Sequence, residues 1–320
     1  HAHAEASPAL PDWKEMAATF FGSPINPDTH TETASLPASI ESHSVFENFK
    51  GPRIAAFPVA LRYLKHIMFL TALKDFEVEP DWMQTLDARV KTDIKTREKI
   101  FAYLHTIDSG FVVVYLKACL EGAYLRDSPI TEECIRCFVD VASLSPGGSL
   151  GFLTEFSDGL FQLIKSNNKE IRSLTARALG ILVSHLANNP TTIDNCRKTL
   201  SALFENAEKL VGPELNAAEG GLLAYSYVCS RSVYYGQPVP EDIHYPLHLL
   251  TGENVASSLY DAALESFAQL WTAGLAIPKR DGDHSLETVV KKLVAPATKG
   301  HEKAILPLGR LAAGLRSHTA

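Results

Sequence analysis

The sequence lacks the features that would place it in several large classes of protein. It has five cysteines in 320 residues, and this odd, scattered count predicts neither a disulfide framework nor paired zinc ligands. Its 30 Lys and Arg residues are spread out against 37 Asp and Glu residues, which argues against binding nucleic acid through bulk charge. No uncharged apolar run reaches the roughly 20 residues that span a bilayer, so membrane insertion is not predicted.

Signals for phosphate binding and for secretion are also missing. Neither a Walker loop nor a G-x-G-x-x-G run is present, and the first residues, HAHAEASPAL, do not form a secretory signal. Because the chain starts without Met, we expect it to be a piece of a longer protein. Free, buried thiols indicate a reducing compartment, so the cytoplasm or the nucleus is the predicted location.

The chain does contain many apolar segments of helical length. It is 46% hydrophobic, and segments of roughly 12–20 residues alternate with short Pro-, Gly- and Asn-containing breaks. The strand-like run FVVVYL (111–116) is isolated, so no parallel sheet is predicted. Residues 1–50 are rich in Ser, Thr, Pro and His, and we expect an irregular lead-in that is partly mobile over residues 23–44.

The helical segments repeat. NNKEIRSLTARALGILVSHL (167–186) has a large residue preceded by small ones at −1 and −4 and followed by apolar ones at +3 and +4. The same set recurs four more times, although a proline replaces the small residue at −1 in the last copy. The reference residues are Phe138, Leu179, Tyr225, Phe267 and Leu308, separated by 41, 46, 42 and 41 residues.

These spacings match the period of HEAT and armadillo repeats, which is about 40–47 residues. Each unit would be two antiparallel helices, with the matched set on the second helix. The five positions lie on one helical face, where small residues allow a partner helix to approach closely. Any amphipathic helix shows apolar i, i+3, i+4 spacing, but the regular period and the recurring small positions favour a repeat. The prediction is an all-α solenoid over residues 51–320.

Two motifs resemble catalytic or redox sites. Cys134-Ile-Arg-Cys137 is a single C-x-x-C, and because both cysteines fall on small-residue positions of a repeat helix, structural thiols are predicted. Gly147-Gly-Ser149-Leu-Gly151 matches the nucleophile elbow of serine hydrolases, with Asp261 and His284 as downstream partners. The flanking segments read as helices, which favours a Gly-rich loop.

The remaining candidates are weaker still. His244 and His248 have metal-ligand spacing, but Pro246 lies between them and no third ligand is evident. Asp281-Gly-Asp283 is predicted to form a turn rather than a calcium loop. His1 and His3 could chelate a metal weakly, but they are not predicted to form a functional site. We therefore predict no catalytic, cofactor or metal residues. A basic C-terminal segment is read as a solvated face, with docking of an acidic partner as the alternative; it contains Lys291, Lys292, Lys299, Lys303, Arg310 and Arg316.

Three segments resemble the degenerate repeats of giant HEAT solenoids: EIRSLTARALGILVSHL (170–186), EGGLLAYSYVCSR (219–231) and AILPLGRLAAGL (304–315). They are most similar to the family of proteasome-associated adaptor and scaffold proteins, over roughly residues 130–315. The resemblance implies a fragment of a far longer protein that tethers, stabilises or inhibits the proteasome, without catalytic residues. Tyr225, Pro307 and the first 50 residues depart from the family pattern.

The sequence thus predicts a non-catalytic scaffold that binds other proteins along a stack of helix pairs. One competing prediction is a serine hydrolase that uses Ser149. The other is a different HEAT-type scaffold, such as a transport receptor or a phosphatase- or kinase-associated subunit. Neither the partner nor the face that binds it can be read from the sequence.

Overall fold

All regular elements of the described residues are helices, and this confirms the predicted all-α class. The computed structural model describes residues 10–22, 48–49, 51–125, 128–154, 157–185, 190–238, 241–252, 255–275 and 285–317. The chain divides into two compact units, residues 1–156 and residues 157–320. The assignment of residues 51–320 to one solenoid domain stays a prediction.

The first unit is built around one buried helix, α5. Its helices are α1 (Trp13–Phe21), α2 (Phe57–Ala72), α3 (Trp82–Thr92), α4 (Ile94–Thr106), α5 (Ser109–Ala123), α6 (Ser128–Ala142) and α7 (Gly147–Leu153). Helix α5 packs against α1, α2, α4, α6 and α7. The strand-like run 111–116 lies within α5. Its continuous apolar sequence fits a helix that is buried on all sides.

Helix α1 lies inside the lead-in that we expected to be irregular. The Asp12 carboxylate caps it by accepting a hydrogen bond from the backbone N–H of Lys14. Trp13, Ala17 and Phe21 are spaced four residues apart, so they share one face, and all three are buried. Residues 13–21 therefore belong to the core of the first unit. The segment 23–44, expected to be mobile, lies outside the described residues.

A charged cluster around a buried lysine joins α2, α3 and α6. The Lys65 ammonium lies 3.1 Å from Asp87 Oδ1 and 2.8 Å from Asp140 Oδ2, and its side chain is only 2% exposed. Burial alone would lower the pKa of Lys65, but the two carboxylates outweigh burial and raise it. Burial would likewise raise the pKa of Asp87, but His66, at 3.0 Å, and Lys65 hold it well below its usual range. Leu86 is the one residue of α3 that is buried, so this helix has little apolar contact with the core. The charged cluster therefore also fixes α3 to α2.

The same region contains a stretch with the composition of a membrane span. Residues Gly51–Ala72 are long and apolar enough, with a mean hydropathy of 1.2, and they are the one such helix in the described part of the chain. Half of that stretch is buried inside the fold. Lys65 and His66 lie on its buried side and form the charged cluster, which is how a core helix behaves.

The second unit consists of helix pairs stacked in two layers. Its helices are α8 (Asp158–Leu163), α9 (Lys169–Ser184), α10 (Pro190–Phe204), α11 (Gly212–Ser232), α12 (Tyr245–Thr251), α13 (Ser257–Thr272), α14 (Leu286–Thr298) and α15 (Glu302–Ser317). Each odd-numbered helix packs against the even-numbered helix before it and against the next odd-numbered helix. The second helix of each pair carries the repeat set, as predicted.

The repeat set marks the buried stripe in four of its five copies. Phe138, Leu179, Tyr225 and Phe267 are at most 1% exposed. The fifth copy is displaced: among the side chains of α15 that the structure describes, Ala304, Pro307 and Leu311 are buried, while Leu308 is partly exposed. Pro307 thus occupies a core position of α15, as the small residue does in the other copies.

Close approach between helices in the second unit depends on glycines of α9 and α11. At Gly220, a Cβ would overlap the backbone carbonyl of Ile164 at the end of α8. A Cβ at Gly180 would lie 2.7 Å from Cβ of Tyr227 on α11, a separation that real side chains do not show. These two positions let α11 approach α9 and the end of α8.

We therefore expect Gly220→Ala to destabilise the chain by about 2–4 kcal/mol, because the overlap with a backbone atom forces α8 and α11 apart. The matched control is Gly309→Ala in α15, where nothing lies within 4 Å of the added Cβ. Alanine is the better helix former, so this control should be neutral or stabilise by up to about 1 kcal/mol. Urea unfolding of both variants measures the difference, and equal midpoints would refute the close-approach argument.

The charged cluster predicts an acid-dependent loss of stability that Asp87→Asn removes. Because the pKa of Asp87 is lowered on folding, its contribution is complete above the ordinary value of 3.8 and is lost as the pH falls below it. At pH 7 the unmodified chain should be more stable than Asp87→Asn by about 1–3 kcal/mol. The gap should shrink below pH 3.8 in urea unfolding at a series of pH values. A gap that is independent of pH would contradict this assignment.

Candidate protein-binding surface

The cysteine pair is buried inside the first unit. Cys134 and Cys137 lie on α6, both are free thiols, and neither is exposed. Burial raises the pKa of the Cys137 thiol to about 12, although Lys65 acts in the opposite direction. Burial also raises the pKa of Cys134 well above its ordinary value. The thiolate is the reactive form of cysteine, so both positions have the properties of structural thiols.

Ser149 does not lie on a strand-turn-helix elbow. It is inside α7, which follows a turn at Pro146, and its backbone N–H donates to the Pro146 carbonyl at 3.1 Å. The side chain is fully buried, and its Oγ has no hydrogen-bond partner within the described structure. A buried hydroxyl on a short helix cannot meet a substrate carbonyl in this conformation. His284, the base of the hydrolase alternative, lies outside the described residues.

The other candidate residues do not converge either. His248 lies on α12 with its Nε2 at 3.5 Å from Glu208, while His244 ends the preceding 3₁₀ turn, Glu241–His244. No group of three His, Cys, Asp or Glu side chains with metal-site geometry occurs among the residues that can be described. Residues 281–283 and both N-terminal histidines lie outside them.

The basic C-terminal segment is an exposed surface where it can be described. Lys291 forms an ion pair with Glu287 at 2.6 Å within α14, and both side chains are more than 70% exposed. Lys292 and Lys299 are also exposed. The side chains of Lys303, Arg310 and Arg316 are outside the described part. Lys291, Lys292 and Lys299 therefore lie on a solvated helical surface, as predicted for the described part of this segment.

A different polar surface lies on the layer formed by α9, α11, α13 and α15. On α11, Tyr225 faces α10, where its ring packs against Phe204 at 5.4 Å between centroids. Tyr227, two residues later, lies on the opposite side of the same helix and is partly exposed. The layer therefore has an inner side against α10 and an outer side at Tyr227. We call the outer side the binding face; it comprises Lys169, Tyr227, Asp261, Glu265 and Gln269.

Polar side chains on the binding face join neighbouring helices. The Tyr227 hydroxyl donates to Glu265 Oε1 at 3.2 Å, and Gln269 Nε2 donates to Ser230 Oγ at 3.1 Å. Both bonds connect α11 with α13. Such bonds hold the side chains in defined positions while leaving further donor and acceptor sites for a ligand.

One ion pair indicates that the layer curves toward this face. Lys169 on α9 lies 3.1 Å from Asp261 on α13, although α11 packs between those two helices. Curvature of a layer brings the side chains of second neighbours together, and we infer such curvature from this contact across α11. Asp261 also lies 3.2 Å from His301, at the start of α15. Two side chains from elsewhere in the layer, Lys169 and His301, thus converge on Asp261 of α13.

His185 and Arg231 lie at the C-terminal ends of α9 and α11. Burial lowers the pKa of His185, and the Arg231 guanidinium lowers it further. Its ring is therefore neutral near pH 7, and Arg231 supplies the positive charge at this end. The binding face consequently presents a mixture of charges rather than one sign.

A buried ion pair braces the layer behind this face. Arg172 on α9 donates to the Glu219 carboxylate on α11, and both side chains are 4% exposed. The same guanidinium donates to the backbone carbonyls of Ser166 and Asn167, at 2.7 and 3.1 Å. Buried charges need such partners, and here they lock the start of α9 onto α11.

Comparison with known proteins yields distant structural likenesses. No protein-family model matches the sequence. One similar solved structure is an engineered protein, Northeast Structural Genomics Consortium target OR329, at 16% identity and a TM-score of 0.34, covering 72% of this chain and 96% of that one. Another is of computationally designed armadillo repeat proteins for modular peptide recognition, at 11% identity and a TM-score of 0.32, covering 77% and 98%.

Two ion pairs of α9 predict effects of very different size when they are mutated. Glu219→Ala leaves a buried guanidinium without its carboxylate, so it should cost about 3–5 kcal/mol. Lys169→Ala removes an ion pair whose lysine is 54% exposed, so it should change stability by less than about 1 kcal/mol. Thermal unfolding of the two variants provides the test. A large loss for Lys169→Ala would show that the binding face is structural.

Proposed function

We propose that this chain is a non-catalytic scaffold that binds a peptide segment of a partner protein on the binding face of the second unit. The observation that carries the proposal is that polar side chains of α9, α11 and α13 contact one another on the binding face. These side chains stand on packed helices, so they are held in place before a partner arrives, and less conformational entropy is lost on binding.

The chemistry of the face suits an extended peptide. Gln269 and Tyr227 offer amide and hydroxyl groups that can pair with backbone N–H and C=O groups. Lys169, Asp261 and Glu265 offer charges of both signs, which suit a partner segment of mixed charge. The curvature of the layer increases the surface that such a segment can contact. The buried Arg172–Glu219 pair supports this arrangement from behind.

The proteasome is the partner class that we propose, with the protein acting as an adaptor in the cytoplasm or the nucleus. The support is the resemblance of residues 170–186, 219–231 and 304–315 to repeats of proteasome-associated scaffold proteins. A transport receptor or a kinase- or phosphatase-associated scaffold would use the same kind of surface with different partners. Identification of the bound proteins distinguishes these alternatives.

Affinity purification from a cell lysate, followed by mass spectrometry, tests both parts of the proposal. We expect proteasome subunits to be recovered and the double variant Lys169→Glu/Gln269→Ala to lose roughly tenfold or more of them. The matched control is Lys198→Glu on α10, an exposed lysine of the other layer, which should leave recovery unchanged.

The outcomes separate the two parts. Recovery of transport cargo or of a kinase or phosphatase, lost in the double variant, would keep the binding face and reject the proteasome. Recovery that is unchanged in the double variant and lost in Lys291→Glu/Lys292→Glu would move the interaction to the basic C-terminal segment.

The non-catalytic part of the proposal has its own test. A fluorophosphonate probe, which labels activated serines, should not react with the folded chain because Ser149 is buried. Labelling that disappears in Ser149→Ala would establish the hydrolase alternative instead.

A further inference from the structure

Three residues on one face of helix α1 pack into a site of the first unit that we call the aromatic cradle. The cradle is formed by Phe49, Phe57, Tyr103 and Phe111. Trp13, Ala17 and Phe21 have exposures of 1%, 0% and 2%. Their spacing of four residues gives the pattern W-x-x-x-A-x-x-x-F, in which a large anchor at each end flanks a small residue. This is the pattern by which a short amphipathic helix is recognised in a groove.

Each large anchor has a specific site in the cradle. The Trp13 indole Nε1 donates to the Tyr103 hydroxyl at 2.7 Å, and its ring meets Phe111 edge-on at 6.3 Å between centroids. A buried indole N–H requires such a partner, so the Tyr103 hydroxyl selects tryptophan over phenylalanine at this position. The cation of Lys14 lies over the ring of Phe111 at 5.9 Å.

The other end of the cradle holds Phe21. Its ring meets Phe57 of α2 edge-on at 5.6 Å and stacks with Phe49 at 6.1 Å. The Asn48 amide donates to the Thr19 carbonyl at 2.9 Å, which satisfies a backbone group at the C-terminal end of α1. The cradle thus recognises both the side chains and the end of the helix.

The helix itself is too short to be stable alone. With nine residues it is below the roughly 12–15 residues at which isolated helices become marginally stable, so contacts with the cradle supply its stability. A segment that folds only against its site behaves as a ligand attached to its receptor. If α1 leaves, Phe49, Phe57 and Phe111 lose their cover, and an apolar surface is exposed.

We propose that the cradle is a helix-binding site that α1 occupies within its own chain, and that it also takes α1 from a second copy of the protein. The second copy carries the same helix, so every contact can be reproduced between chains. Which α1 is bound depends on the effective concentration of the attached helix relative to the concentration of free copies. Loss of an anchor in the attached helix shifts this competition toward the helix from the second copy.

A labelled synthetic peptide of residues 10–22 is the probe of the second-copy helix. We expect it to bind the full chain carrying Trp13→Ala at least tenfold more tightly than the unmodified chain, because the attached α1 no longer competes effectively. A peptide that itself carries Trp13→Ala should bind the same variant at least tenfold more weakly than the unmodified peptide. Fluorescence anisotropy measures all three affinities, and circular dichroism verifies that the chain is folded.

A second variant keeps the test decisive if Trp13→Ala fails to fold. Trp13→Phe removes only the indole N–H that donates to Tyr103, so it should loosen the attached α1 while leaving the aromatic cradle unchanged. A tagged copy that carries Trp13→Phe should then co-purify with a differently tagged unmodified copy, and excess unmodified peptide should suppress co-purification. Absence of peptide binding to a folded Trp13→Ala chain, or of co-purification of a folded Trp13→Phe chain with the unmodified chain, would overturn the proposal.

Discussion

The second unit depends on the burial of α11 between its neighbours. Between Ala218 and Ser230, Tyr227 is the one residue of this helix that is not buried. Such burial requires close backbone approach, which Gly180 and Gly220 permit, and it requires a partner for the Glu219 carboxylate, which Arg172 provides. The two-layer packing, the curvature and the row of polar side chains in front of α11 all follow from this placement.

The first unit also buries a central helix, but with different side chains. Its central helix, α5, is apolar on nearly every side and is covered by the helices around it. Lys65 would be a costly charge in that interior, but Asp87 and Asp140 come from two other helices and neutralise it. The charge that makes α2 a poor membrane span is therefore also the group that joins α2, α3 and α6.

Much of the fold could be predicted because helical periodicity and inter-repeat spacing are local properties of the sequence. The small-residue positions at Thr175, Ala178 and Gly221 are buried as expected. What could not be predicted is which helix faces meet, because that depends on contacts between residues distant in sequence. Arg172 and Glu219 are charged residues among the apolar positions of their helices, and that placement was the available signal for a buried pair. Helix α1 had no such signal, because it is too short to be expected to form alone. The tertiary contacts of Trp13 order it.

The Lys169–Asp261 ion pair has a mechanical consequence. It joins two helices that are not neighbours, so its length depends on how far the stack between them is bent. Straightening the stack pulls the two charges apart, and bending it brings them together. The pair therefore favours the bent arrangement of α9, α11 and α13. Because the lysine is exposed, salt screens the attraction. The strength of this link between α9 and α13 therefore falls as the ionic strength rises, without any change in the packed core.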